Sequence, residues 1–141
     1  MMRTFSLLLA LLMGAPHGAR PTATPQVLGK LLSANFNTTA DQAIPISYGH
    51  AEITQIIVTN ASTSLTLAVG GFYTGAGKTG TIMVAATQVY SALTGPTLAL
   101  VPVLAIPVRV TSAQQVFFAL TTAQGSAAIA DIYVLGVAID Q

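Results

Sequence analysis

From Thr79 to Val108 the chain runs for thirty residues without a charged side chain. As a helix, such a stretch would be long enough to cross a bilayer, which needs about 20 apolar residues. Gly80, Gly95, Pro96, Pro102 and Pro107 interrupt it. Proline removes a backbone donor and clashes with the preceding helical turn, so one continuous helix is ruled out. The stretch reads instead as short strands and turns, and no membrane partner is expected.

Scarcity of charge extends over the whole chain. Asp, Glu, Lys and Arg make up 6% of the 141 residues, against about 25% in an ordinary soluble domain. Hydrophobic residues make up 52%, and the mean hydropathy is +0.70. A surface with so few charges does little to keep copies apart. Much of it is therefore expected to be covered in an assembly. The net charge is +1, and Arg3, Arg20, Lys30, Lys78 and Arg109 are scattered along the chain. Nucleic-acid binding needs a basic stripe, which this pattern does not supply. There is no cysteine, so disulfides and thiolate metal sites are impossible. The length fits one domain with a tail, held by packing or by partners.

Composition divides the chain into two parts. Residues 1–27 carry Arg3, the apolar run Phe5–Met13, and then Gly14, Pro16, Gly18, Pro21 and Pro25. A positive start, a short apolar middle and small residues after it are the marks of a secretory signal. The cleavage positions fit poorly: cutting after Ala19 sets His17, and cutting after Ala15 sets Met13, where a small residue is preferred. The alternative is a retained arm that docks on a partner, with Phe5–Met13 as a short helix. Residues 28–141 form the second part, a β domain.

Within that domain the apolar pattern has period two, as half-buried strands require. Ser64–Val69 alternates, Val116, Phe118 and Leu120 share a face, and Ile53–Thr59 is rich in β-branched residues. Ile129–Ile139 is apolar on both faces and reads as a central strand or one buried under a partner. Asp131, inside it, reads as a strand end or a paired carboxylate. Pro102 and Pro107 make Leu98–Val110 an edge strand or a bulged one. Turn signals fall at Asn37–Asp41, Asn60–Thr63, Gly75–Lys78, Thr94–Pro96 and Gln124–Ser126. They leave room for about eight strands. No amphipathic helix of three turns follows Val27. The expectation is an all-β jelly roll or β-sandwich with an N-terminal arm.

Motifs for chemistry are thin. Gly71–Thr79 imitates a phosphate-binding loop, but the spacing fails by one because residue 72 is Phe72. A strand pattern, Gly80–Val84, follows where a helix should begin, so the glycines read as a hairpin loop. Asp41, His50 and Glu52 lie close in sequence and could in principle hold a metal; a polar loop leading into a strand explains them more simply. No Gly-x-Ser-x-Gly elbow supports a serine nucleophile. Asn37-Thr38-Thr39 and Asn60-Ala61-Ser62 are glycosylation sequons, relevant only in a eukaryotic secretory pathway. No cofactor, metal or catalytic residue is expected, and the chain reads as a non-enzyme.

Several stretches carry a family resemblance. They are Ser33–Ile46, Ile56–Ser62, Gly70–Thr74, Val89–Thr94 and Phe118–Gly125. Through them Leu31–Gln141 resembles the capsid cement, or decoration, proteins of tailed bacteriophages. The resemblance implies a jelly roll on the outside of an icosahedral head, assembled in the host cytoplasm. The implied partners are the major capsid protein and further copies of the chain, as a homodimer or other symmetric oligomer. Non-covalent contacts would cement the capsid subunits. Candidate contacts are Phe5, Leu8, Leu12 and Arg20 in the arm and Pro102, Pro107 and Arg109 in the proline-bearing strand. Two other readings are an exported β-sandwich adhesin or pilus-type subunit and a tail or fibre component of the virion.

Overall fold

Period-two alternation decides which side chains go inside, and the turn residues decide where the chain reverses. In the computed structural model, which describes residues 24–105, 107–111 and 115–139, these two signals produce nine strands and no helix. They are β1 (Gln26–Asn35), β2 (Gln42–Pro45), β3 (His50–Thr59), β4 (Val69–Gly75), β5 (Thr79–Val84), β6 (Ala99–Leu100), β7 (Val108–Thr111), β8 (Gln115–Thr122) and β9 (Ile129–Ala138). β1 opens at Gln26, inside the segment 1–27 that composition sets apart. Residues 1–23, with Phe5, Leu8, Leu12 and Arg20, lie outside the described residues, as does the short helix expected over Phe5–Met13.

The strands form two antiparallel sheets. The first has the order β1-β9-β3, and β6 and β7 both pair with the outer edge of β3. The second has the order β2-β8-β4-β5. The pairings nest: β1 with β9, β2 with β8, β3 with β6 and β7, β4 with β5. Such nesting is one long hairpin rolled up so that β9 also joins β3 and β8 also joins β4. This is the jelly roll, two Greek keys forming a sandwich. β6 and β7 share one edge position, so nine strands occupy eight places.

Leu98–Val110 is an edge strand with a break, as its prolines require. Residues 101–105 leave the first sheet after β6, and the Ala105 amide donates to the Met83 carbonyl of β5 at 2.9 Å. This excursion joins the two sheets on one flank. On the other flank the Ser47 amide donates to the Leu28 carbonyl at 3.0 Å. A Cβ on Gly29 would stand 2.5 Å from the Pro45 carbonyl oxygen, so the close approach of β1 to β2 depends on glycine there.

Both inner faces supply the core. Ile53, Ile56 and Val58 of β3 and Ala130, Ile132 and Val134 of β9 meet Ile44, Val116, Phe118 and Leu120 of the second sheet. At the centre Phe118 lies 4.9 Å from Phe36, 5.1 Å from Phe72 and 6.0 Å from Tyr90, measured between ring centroids. The tilted and edge-on arrangements are those that aromatic quadrupoles favour. β9 is central, between β1 and β3, as its two apolar faces predict.

One expectation is corrected. Ser64–Ala68 is a loop, and β4 begins only at Val69. The alternation there is real in sequence, but the backbone finds other partners. Leu65 donates to the Leu93 carbonyl at 2.9 Å, and the amides of Leu67 and Ala68 both donate to Oε1 of Gln124, at 3.0 and 3.2 Å. Gln124 is buried, and its amide oxygen replaces a strand ladder.

Asp131 is a paired carboxylate, one of the two readings open for it. It accepts the Ser33 amide at 2.8 Å and the Asn60 side-chain amide at 2.9 Å. Ser33 and Asn60 both have left-handed backbones, φ 55° and 54°, which non-glycine residues adopt at a cost. One carboxylate thus steadies the bulge of β1 and the turn after β3. Asp131→Ala is expected to lower stability by about 2 kcal/mol, since hydrogen bonds to charged groups contribute roughly 1.5–3. Asp131→Asn, which keeps an acceptor, should lose less. Urea unfolding of the three proteins checks both the loss and the order.

Candidate functional site

A sheet exposes every second residue on its outer face, so the core positions also specify the surface. On the first sheet the outer face carries Lys30 beside Tyr133 and Ile57, and Arg109 beside Glu52 and Val137. Arg109 Nε lies 3.2 Å from Glu52 Oε2, with the arginine side chain 79% exposed. Lys30, Glu52, Arg109 and Asp131 are four of the six charged residues among the described ones, and all stand on this sheet.

The second sheet is different. With Val116, Phe118 and Leu120 inward, Gln115, Phe117, Ala119 and Thr121 face out. Register then sets Ala43, Phe117, Tyr73 and Ile82 in one row, one from each strand. Ile82 is 53% exposed. No described residue of this outer face is charged. Asp41 and Lys78 border it from loops: the Asp41 carboxylate accepts the Gly77 amide of the β4–β5 hairpin. The remaining polar groups are amides and hydroxyls. Toward one end residues 84–86 fold over the sheet, where Thr121 Oγ1 donates to the Ala86 carbonyl at 3.0 Å.

Tyr73 is the odd member of the row. It is buried, yet among the described residues its hydroxyl has no hydrogen-bond partner. Burial first, and the nearby Asp41 carboxylate second, push its phenol above the ordinary value, so it stays protonated. Tyr90 is also pushed up, by burial first and Tyr73 second, but its hydroxyl donates to the Gly70 carbonyl at 3.2 Å. An unpaired buried hydroxyl costs roughly 1–3 kcal/mol. Tyr73→Phe is therefore expected to raise the stability of the isolated protein by about 1 kcal/mol. A thermal melt that leaves the midpoint unchanged or lowers it would refute this.

A third surface is the proline-bearing flank. Leu98, Val101 and Val103 are 42%, 47% and 81% exposed. Pro107 is exposed, but Pro102 is buried where the excursion crosses between sheets. Of the candidate contacts here, Pro107 and Arg109 thus reach the surface, and Val101 and Val103 replace Pro102 as its apolar contribution. On the opposite flank a groove of about 380 Å³ runs along Val27, Leu28, Gly29, Lys30, Pro45 and Ser47.

The residues considered for chemistry do not form one group: His50 and Glu52 share a face of β3, and Asp41 lies elsewhere. Asp41 is tied to the hairpin, Glu52 to Arg109, and His50 opens β3 in the open. A cleft of about 100 Å³ beside His50 is lined by Ala51, Arg109, Val110, Thr111 and Ile139, with no carboxylate among the described lining residues. Among the described residues no three His, Cys, Asp or Glu group to hold a metal. Gly75–Thr79 is a hairpin turn leading into a strand, with Gly77 and Lys78 at φ 70° and 60°. Among the described residues, the second sheet's outer face carries none of the contact residues expected from the sequence. The signal was present: Phe117 is out of phase with Val116, Phe118 and Leu120.

Compared with family models, with curated proteins and with solved structures, the chain matches none.

Proposed function

We propose that this chain is a structural virion protein that binds the outside of a phage icosahedral head and cements major capsid protein subunits by non-covalent contacts. The observation that carries the reading is the flank of residues 98–107. It presents Leu98, Val101 and Val103 to solvent without a charge, on a segment that prolines stiffen. An apolar edge of this kind invites aggregation unless another chain covers it. Covering it removes apolar area from water with no charge to desolvate. The jelly roll adds support by analogy of architecture, since viral capsid domains use it along with lectins and cupins. The sequence resemblance to cement proteins points the same way.

The role is mechanical rather than catalytic. Many modest contacts repeated by symmetry hold a shell, because a protein bound at several points leaves slowly. Intact-mass spectrometry with copy counting on purified virus particles tests this. Hundreds of copies of the chain per particle are expected, and Val103→Asp should sharply reduce incorporation without loss of folding. Absence from particles, with a shortened chain in the cell envelope, would replace this reading by the exported β-sandwich.

A further inference from the structure

Tyr73 stands on an outer face, level with Phe117, yet it is buried and, among the described residues, its hydroxyl is unpaired. We propose that the tip of the β4–β5 hairpin, residues 75–80, is a strap that lies over Tyr73, is latched by Asp41 and opens as a unit. The proposal goes beyond the virion reading and does not rest on it.

Register shows that the tip doubles back. Tyr73 is level with Phe117 of β8 and Ala43 of β2. β2 and β4 run in the same direction, since each is antiparallel to β8. Gly77 therefore lies ahead of this row and Asp41 behind it. At about 3.3 Å per residue, a straight hairpin would hold the two roughly 20 Å apart along the strands, with β8 between them as well. The Gly77 amide nevertheless donates to the Asp41 carboxylate. The core fills the inner face, so the tip crosses the outer face, where Tyr73 stands. Register shifts between Phe72 and Tyr73 and between Tyr73 and Gly75 supply the bend, because a bulge kinks and twists its strand. Gly77 and Gly80, at φ 70° and 73°, turn the backbone at the tip.

The tip is held together internally and tied down at one point. Past Tyr73, β4 leaves β8 and pairs only with β5. Thr79 Oγ1 donates to the Ala76 carbonyl at 2.7 Å, and the Thr81 amide donates to Thr74 Oγ1 at 2.8 Å. Among the hydrogen bonds of the described residues, only the one to Asp41 ties residues 75–80 to a distant part of the chain. Closed, the strap gains that charge-assisted bond but leaves the Tyr73 hydroxyl without a partner. Open, it loses the bond and the hydroxyl meets water. The two contributions are of similar size, so the open state is a minor but accessible one. Such local opening requires far less than global unfolding. It bares an uncharged surface of Tyr73 and Phe117 that the closed molecule hides.

Acetylation of tyrosines by N-acetylimidazole, resolved by peptide mass spectrometry on the full chain, tests this. Half-buried Tyr133 reports direct labelling, and Tyr90, buried and hydrogen-bonded, reports global unfolding. Wild-type Tyr73 should be labelled at least about tenfold faster than Tyr90. Asp41→Ala should speed Tyr73 by about tenfold, the worth of a hydrogen bond to a charged group, and leave Tyr90 unchanged. Asp41→Asn, which keeps an acceptor without the charge, should speed it less. Equal rates at Tyr73 and Tyr90 in wild type overturn the proposal, because only global unfolding would then reach Tyr73. No acceleration in Asp41→Ala also overturns it and puts the cover elsewhere. Equal acceleration by the two substitutions overturns it too, since the charge beside the phenol rather than a latch would then set the rate.

Discussion

Gly136→Ala is expected to destabilise the native sandwich severely. Gly136 lies in β9, in register with Gln26 of β1 and Ile53 of β3. A Cβ there would stand 2.0 Å from the Glu52 carbonyl oxygen, 2.8 Å from Leu28 Cδ1 and 2.9 Å from the Glu52 carbonyl carbon. Two of these atoms are backbone of a paired strand and cannot rotate aside. The methyl therefore has to push β3 and β9 apart, disturbing two pairings at the centre of the larger sheet. A loss of at least about 4 kcal/mol is expected, large against the 5–15 kcal/mol that holds a typical domain. Soluble yield and the circular-dichroism melt provide the measurement. Gly95→Ala is the control, because nothing lies within 4 Å of its Cβ position, and it should behave as wild type. A folded Gly136→Ala protein with an ordinary melt would show that β3 and β9 can separate locally.

Phe118→Ala is expected to cost about 3–5 kcal/mol, the range for removing a buried phenylalanine. Phe118 is fully buried and touches the rings of Phe36, Phe72 and Tyr90. Those rings come from the turn after β1, from β4 and from the loop after β5. Deleting the central ring therefore loosens contacts that no local segment makes alone. The comparison that gives the number meaning is Phe117→Ala, one residue away. Phe117 is half-buried on the outer face, and its loss should cost less than half as much in the monomer. Denaturant midpoints of the two variants check this. Equal losses would mean that the outer face is as well packed as the core.

The same pair shows what could be read before the fold was known. Period two places residues 117 and 118 on opposite faces, and that much is local. Which face meets the core follows from the neighbours Val116 and Leu120, again local. What lies beyond Phe117 is decided by register with Tyr73, Ile82 and Ala43, residues 35 to 74 positions away. Hence the outward phase of Phe117 was legible in the sequence, but the row it forms with Tyr73, Ile82 and Ala43 was not. The loop at Ser64–Ala68 failed for a related reason. Its alternation is that of a strand, but a strand needs a neighbour's backbone, and here the side chain of Gln124, 56 and 57 residues on, takes that role. The metal-like grouping of Asp41, His50 and Glu52 also dissolved at long range, when Asp41 found Gly77 and Glu52 found Arg109.

By itself the sequence determined that this protein is all-β, that β9 needs cover on both faces and that the proline-bearing segment is an edge strand or a bulged one. Each of these follows from steric or hydrogen-bonding limits that act on one residue and its nearest neighbours. Proline cannot donate, alternate residues face alternate sides, and a strand apolar on both faces must be covered on both. The tertiary structure alone decided the nesting of the hairpins, the segregation of charge onto one sheet and the row across the other. These depend on which strands pair and in what register, and pairing is a contact between distant residues whose free energy no local pattern carries.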